Sequence, residues 1–216
     1  MSLVQSLQRI IQRTYAIPPV ITDIAPYIIG DRGWRAIYAP RQGPSQGRAS
    51  TLVRDLAGRV RATVYYPDAL IRHLERHDPA AGLGDVNIEE FATLVEEVDH
   101  LLMVAHRASE GRRVSRMELE HHAGVTKYLV VLHFLGRQMR RRRLPEVLRI
   151  WARHHLFERH AGGRNEEAER YRAAARWARR YVDWIERLAT PDRRTELIEF
   201  QRRPFADTER LLARVA

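Results

Sequence analysis

From Pro67 to the C-terminus the apolar residues recur at helical intervals and almost nowhere alternate, which commits most of the chain to α-helix. Asp68 opens a short helix, and Asn87, with Glu90 at the capping-box position, opens a long one. The stripe of that long helix is Phe91, Leu94, Val95, Val98, Leu101, Leu102 and Ala105, and Gly111 ends it. Ser115 and Glu118 repeat the capping pattern before a segment reaching Arg143. Pro145 starts the next helix and Ala161-Gly162-Gly163 stops it. Asn165 caps a helix with the stripe Ala168, Tyr171, Ala175, Ala178, Val182, Ile185 and Leu188, and two shorter helices follow, separated by Pro204.

The first third reads differently. Leu3, Leu7, Ile10, Ile11 and Tyr15 give an N-terminal helix, after which Pro18, Pro19 and Pro26 force an extended path. Tyr27 to Ile29 and Trp34 to Ala39 flank Gly30-Asp31-Arg32-Gly33 as a hairpin would, and residues 40–50 read as a loop. Arg59 to Tyr66 alternates: Val60, Ala62 and Val64 point to one face, and Leu52 to Leu56 can pair with it across Ala57-Gly58. The expected fold is α+β and mostly helical: an N-terminal helix, a small antiparallel sheet of three or four strands, then a bundle of about six helices. Residues 1–110 form an N-terminal α/β segment with the long helix and 111–216 a basic helical segment, together one continuous domain.

Charge divides along the same line. The net charge is +10, but residues 1–110 carry 12 arginines against 13 acids while 111–216 carry 25 basic residues against 14 acids. A polyanionic partner would therefore meet the second half. There is no cysteine, which excludes thiolate nucleophiles, disulfides and Cys-based zinc sites. No stretch approaches the ~20 apolar residues of a membrane span, and the first residues lack the pattern of a secretory signal. A soluble, cytoplasmic protein with no membrane partner is expected.

Ser115 to Val130 carries Glu118-Leu119, then Ala123-Gly124-Val125-Thr126, then Val130. This spacing resembles the helix-turn-helix of bacterial DNA-binding proteins, with Glu120 where that family places a small buried residue. The resemblance implies a turn at Ala123 to Thr126 and nucleic-acid contacts from Thr126, Lys127 and Tyr128. Without that turn, one helix runs from Arg116 to about Arg143. Arg137, Arg140, Arg141, Arg142, Arg143, Arg149 and Arg153 would add a phosphate-binding patch if the helices meeting at Pro145 pack side by side.

Glu96-Glu97-Val98-Asp99-His100 resembles the His-Glu-x-x-His helix of zinc peptidases, with Glu96 in place of the first histidine. The resemblance implies Zn held by Glu96 and His100, Glu97 as the catalytic base, and a further ligand from the next helix. Glu118 and His122 are the candidates there, with Glu120 and His121 also available. His73 and His77, and the consecutive His154-His155, make poorer chelating pairs, the first flanked by Arg72 and Arg76 and the second pointing apart. No Gly-rich phosphate loop or Gly-x-Ser-x-Gly elbow is present. Three functions are expected: a non-enzymatic binding protein, without cofactor, that meets nucleic acid or an acidic protein through its arginine-rich half; alternatively a zincin-like metal-dependent hydrolase, active or inactive; or a scaffold subunit.

Overall fold

Ser2 caps the first helix, α1 (Leu3–Tyr15), accepting from the Gln5 amide while the Gln5 side chain accepts from the Ser2 amide. The computed structural model describes residues 2–38, 47–56, 59–141, 143–158 and 165–215. Buried Gln8 pins the extended path after α1, donating to the Ile21 carbonyl and accepting from the Ile24 amide.

The expected hairpin is replaced by a strand and a helix. Only Ile28–Ile29 is strand (β1), and Asp31–Ile37 is helical (α2). Gly30 precedes the helix, Asp31 complements its N-terminal dipole, and the Asp31 amide donates to Asp68 Oδ1. Trp34 and Tyr38, one turn apart, stack with each other and Trp34 packs on Tyr65. Helical spacing thus brings both rings within about 6 Å along the axis and onto one small cluster, whereas a strand would have spread them over about 13 Å.

Strands β2 (Ser50–Leu56) and β3 (Arg59–Tyr65) pair antiparallel as expected, whereas β1 pairs with β3 in parallel. The sheet is therefore mixed, in the order β1-β3-β2: β1 and β3 are separated in the chain by α2 and β2, so no tight turn joins them and they can pair in parallel. Val64 is fully buried and Ala62 half-buried, but Val60 is 43% exposed. The inward face is covered by helix only toward the end of β3.

Seven helices follow among the described residues: α3 (Asp68–Arg76), α4 (Ile88–Ser109), α5 (Arg116–Gln138), α6 (Glu146–Arg153), α7 (Glu166–Ile185), α8 (Thr190–Arg202) and α9 (Phe205–Val215). Helix α6 runs on into a π-helical turn at His154–Glu158. Helix α4 is central, packed against β3, α1 and α5. Its apolar stripe is buried, and so are Glu97, Asp99 and His100 on its other sides. One core cluster joins Leu7 to Leu212 through both halves of the chain. Each Leu, Val, Ile or Phe fully buried there contributes roughly 1.5–3 kcal/mol.

Ser115 and Glu118 form the capping box that opens α5, so Glu118 is spent on the backbone. The turn implied at Ala123 to Thr126 is absent, and α5 is a single helix. Gly124 sits where α5 crosses α7: a Cβ there would lie 2.7 Å from Ala178 Cβ, so glycine provides close approach instead of turn geometry. The helix ends at Gln138; two residues on, Arg140 is left-handed with a φ of 50°, and the Arg141 amide turns back to the Gly136 carbonyl.

Candidate metal centre

Glu96 and His100 lie one turn apart on α4, and α5 brings Glu120 against them. One ligating atom from each lies within 4.8 Å of the others. His100 Nε2 is 3.8 Å from Glu120 Oε2, and His100 Nδ1 is 3.7 Å from Glu97 Oε2. Nε2 is buried without a hydrogen-bond partner among the described residues. Such an orphaned ring nitrogen is costly unless something occupies the space it faces.

Four further side chains complete the cluster. Lys127, two turns beyond Glu120 on α5, forms an ion pair with Glu96 in which both side chains are 16% exposed. Thr51, on edge strand β2, donates to Glu97 Oε2 at 2.7 Å. Tyr171, on α7, faces Glu120 closely enough to feel its charge and reaches the surface. Tyr66 lies within the field of Glu97 and Glu96.

The electrostatics show a site short of positive charge. Burial opposes a charged His100, but its contact with Glu97 and the charges of Glu97, Glu96 and Glu120 outweigh that and raise its pKa to about 9. Burial lifts Glu120 to about 7, against the pull of His100 and Lys127. For Lys127 too burial is opposed by Glu96, which keeps the ammonium above its usual range. Glu96, Glu97 and Glu120 against Lys127 leave a formal −2 that a proton on His100 reduces to −1 in the metal-free protein; a divalent cation that displaced that proton would balance the −2.

The other metal candidates lie elsewhere. Glu118 caps α5, and His122 belongs to a second buried network, on the side of α4 that carries Asp99. His122 Nδ1 is 2.8 Å from Asp99 Oδ2, Thr126 Oγ1 donates to Asp99 Oδ1 at 2.8 Å, and the Tyr15 hydroxyl is 2.8 Å from Thr126 Oγ1. This network ties α1, α4 and α5 together. Glu118 and His122 are thus turned away from Glu96 and His100, and the α5 side chain that faces them is Glu120, the residue that departs from the helix-turn-helix pattern. Its position seven residues before Lys127 was the available signal, since both share one face of α5. Thr51 and Tyr171 come from distant segments and left no such signal.

The nucleic-acid candidates do not assemble. Thr126 and Tyr128 are buried, held by Asp99 and Glu186 respectively, and Lys127 is held by Glu96. Groups already desolvated and paired inside the core cannot reach a groove. Arg149 pairs with Glu186, and Arg153 pairs with Glu146, Asp183 and Glu186. Arg137, Arg140, Arg141 and Arg143 are exposed and, among the described residues, unpaired with any acid; Arg142 lies outside the described residues. No described helix is long and apolar enough to cross a membrane.

Comparison with protein families, curated proteins and solved structures returns no match for this chain.

Proposed function

We propose that the chain is a metal-dependent hydrolase whose divalent cation is held by Glu96, His100 and Glu120. One observation carries this: three ligating atoms from two helices meet within 4.8 Å, and Nε2 of the histidine among them is buried with no hydrogen-bond partner among the described residues. Two carboxylates and one imidazole suit zinc or manganese. The metal would supply Lewis acidity and lower the pKa of water in its coordination sphere. Glu97, which accepts from Thr51 and lies beside Nδ1 of His100, would orient the imidazole and would be the carboxylate to serve as the base. Tyr171, at the surface end, is the phenol beside Glu120 that an incoming substrate would meet.

The test begins with metal content by mass spectrometry on protein prepared without chelator, and with zinc and manganese titrations of stripped protein. Wild type binds one equivalent, and His100→Ala and Glu120→Gln lose at least tenfold in affinity while keeping the wild-type circular dichroism spectrum. Glu97→Gln keeps the metal and loses turnover of whichever peptide or ester substrate a panel reveals. If neither ion binds stripped wild type, the proposal fails. If metal binds but Glu97→Gln matches wild type in turnover, the metal remains and the assigned base is wrong.

A further inference from the structure

A cavity of about 490 Å³ opens between the first turn of α1, the end of α3 and the start of α4, within the ~300–1,000 Å³ range of small-molecule sites. Its walls are apolar, with Leu3 and Val4 on one side and Ile71 and Leu74 on the other. Three polar side chains besides the Tyr66 phenol line it: Ser2, Glu75 and Asp78. Ser2 is occupied by the capping box, and the Tyr66 hydroxyl donates to the Leu94 carbonyl. The polar groups left to a ligand are thus the Glu75 carboxylate and Oδ2 of Asp78, whose Oδ1 accepts from the Ala80 amide; both residues are exposed and lie three apart across the end of α3. Among the described residues neither is ion-paired, in a chain with 37 basic residues.

From this arrangement we infer a second binding site, for a single aliphatic chain that ends in an ammonium group. The chain lies between α1 and α3, where each methylene removed from water contributes about 0.8 kcal/mol. The head sits at Glu75 and Asp78. A fatty acid of the same length would bring a third carboxylate to these two, and an alcohol would forgo the ion pair. The inference does not rest on the metal centre, since none of Glu96, His100 and Glu120 lines this cavity and Tyr66 is the one side chain near both.

The test is isothermal titration at pH 7.5 and about physiological salt with octylammonium, octanol and octanoate. Octylammonium binds wild type at least tenfold more tightly than octanoate, with octanol between them. Glu75→Gln/Asp78→Asn, changed only at exposed positions, abolishes that order, and Ile71→Trp, which fills the cavity, weakens all three. Equal affinities in wild type, or a preference that survives the double variant, would overturn the assignment of the head group. Unaltered octylammonium binding by folded Ile71→Trp would overturn the cavity as the site.

Discussion

The carboxylate cluster on α4 and the arginines that end α5 are both dense in charge, yet the fold treats them in opposite ways. Glu96, Glu97, His100, Glu120 and Lys127 arrive from two helices and are buried or nearly so, each held by another charge in the group. Arg137, Arg140, Arg141 and Arg143 follow one another along the chain and stay in water. Buried charge is expensive and persists only where paired or given a ligand, whereas exposed charge near a helix C-terminus is nearly neutral and weakly favoured by the dipole. Density of charge along the sequence is therefore a poor guide to a site. Convergence under burial is the better one.

That contrast can be broken at several points. Asp99→Ala should have the largest effect, because it leaves His122 and Thr126 without their acceptor in the core. A loss of about 3–5 kcal/mol is expected in chemical denaturation, and a loss below ~1 kcal/mol would show the buried polar network to be slack. Lys127→Met should cost about 1–3 kcal/mol in the metal-free protein by leaving Glu96 without its ammonium. Added zinc or manganese should restore part of that stability in the variant, since a bound cation replaces the lost charge.

A smaller effect tests pH. Burial, with the neighbouring His122, pushes the His121 imidazole down to about 3, while in the unfolded chain it takes its proton near ~6.5. Between those values the unfolded state binds more protons, so this contribution to stability is complete above ~6.5 and is lost as pH falls toward 3. His121→Phe, among Phe200, Phe205 and Tyr181, removes the titration, so unfolding free energy should fall less between pH 7 and pH 5 than in wild type. An unchanged slope would place the acid sensitivity elsewhere. The smallest effect belongs to the arginines: Ala at 137, 140, 141 and 143 together should change stability by no more than about 0.5 kcal/mol per site. Tight, steeply salt-dependent DNA or RNA binding abolished in that variant would reverse the contrast, giving the exposed patch the functional role.

Elements whose signal is local were legible in the sequence. The 88–109 helix and the Ser115–Glu118 capping box follow from spacing alone, as does the antiparallel pairing of β2 with β3. Trp34 and Tyr38 were misleading because aromatic residues favour strands on average, and only packing on Tyr65 selects the helix. Asn87 starts α4, but its side chain serves the preceding loop, accepting from Gly84 and donating to His77 and Gly82. For the site, the one-turn spacing of Glu96 and His100 was visible on one helix. Which α5 residue faces them was marked only by the face that Glu120 shares with Lys127, since the choice depends on how α5 is rotated against α4. Glu118 went to the backbone, His122 to Asp99, and Glu120 was left facing His100.

The contact between Gly124 and Ala178 has a consequence beyond packing. It is the fulcrum of the α5–α7 crossing, one turn along from Glu120 on one helix and two turns along from Tyr171 on the other. A methyl group at 124 would act as a wedge, and a helix is a stiff lever. Displacement at the crossing would be transmitted to the separation of Tyr171 from Glu120, where a few tenths of an ångström distinguish a hydrogen bond from none. The hydrogen atom that serves as the side chain of residue 124 thereby sets the tolerance to which the surface end of the cluster is built.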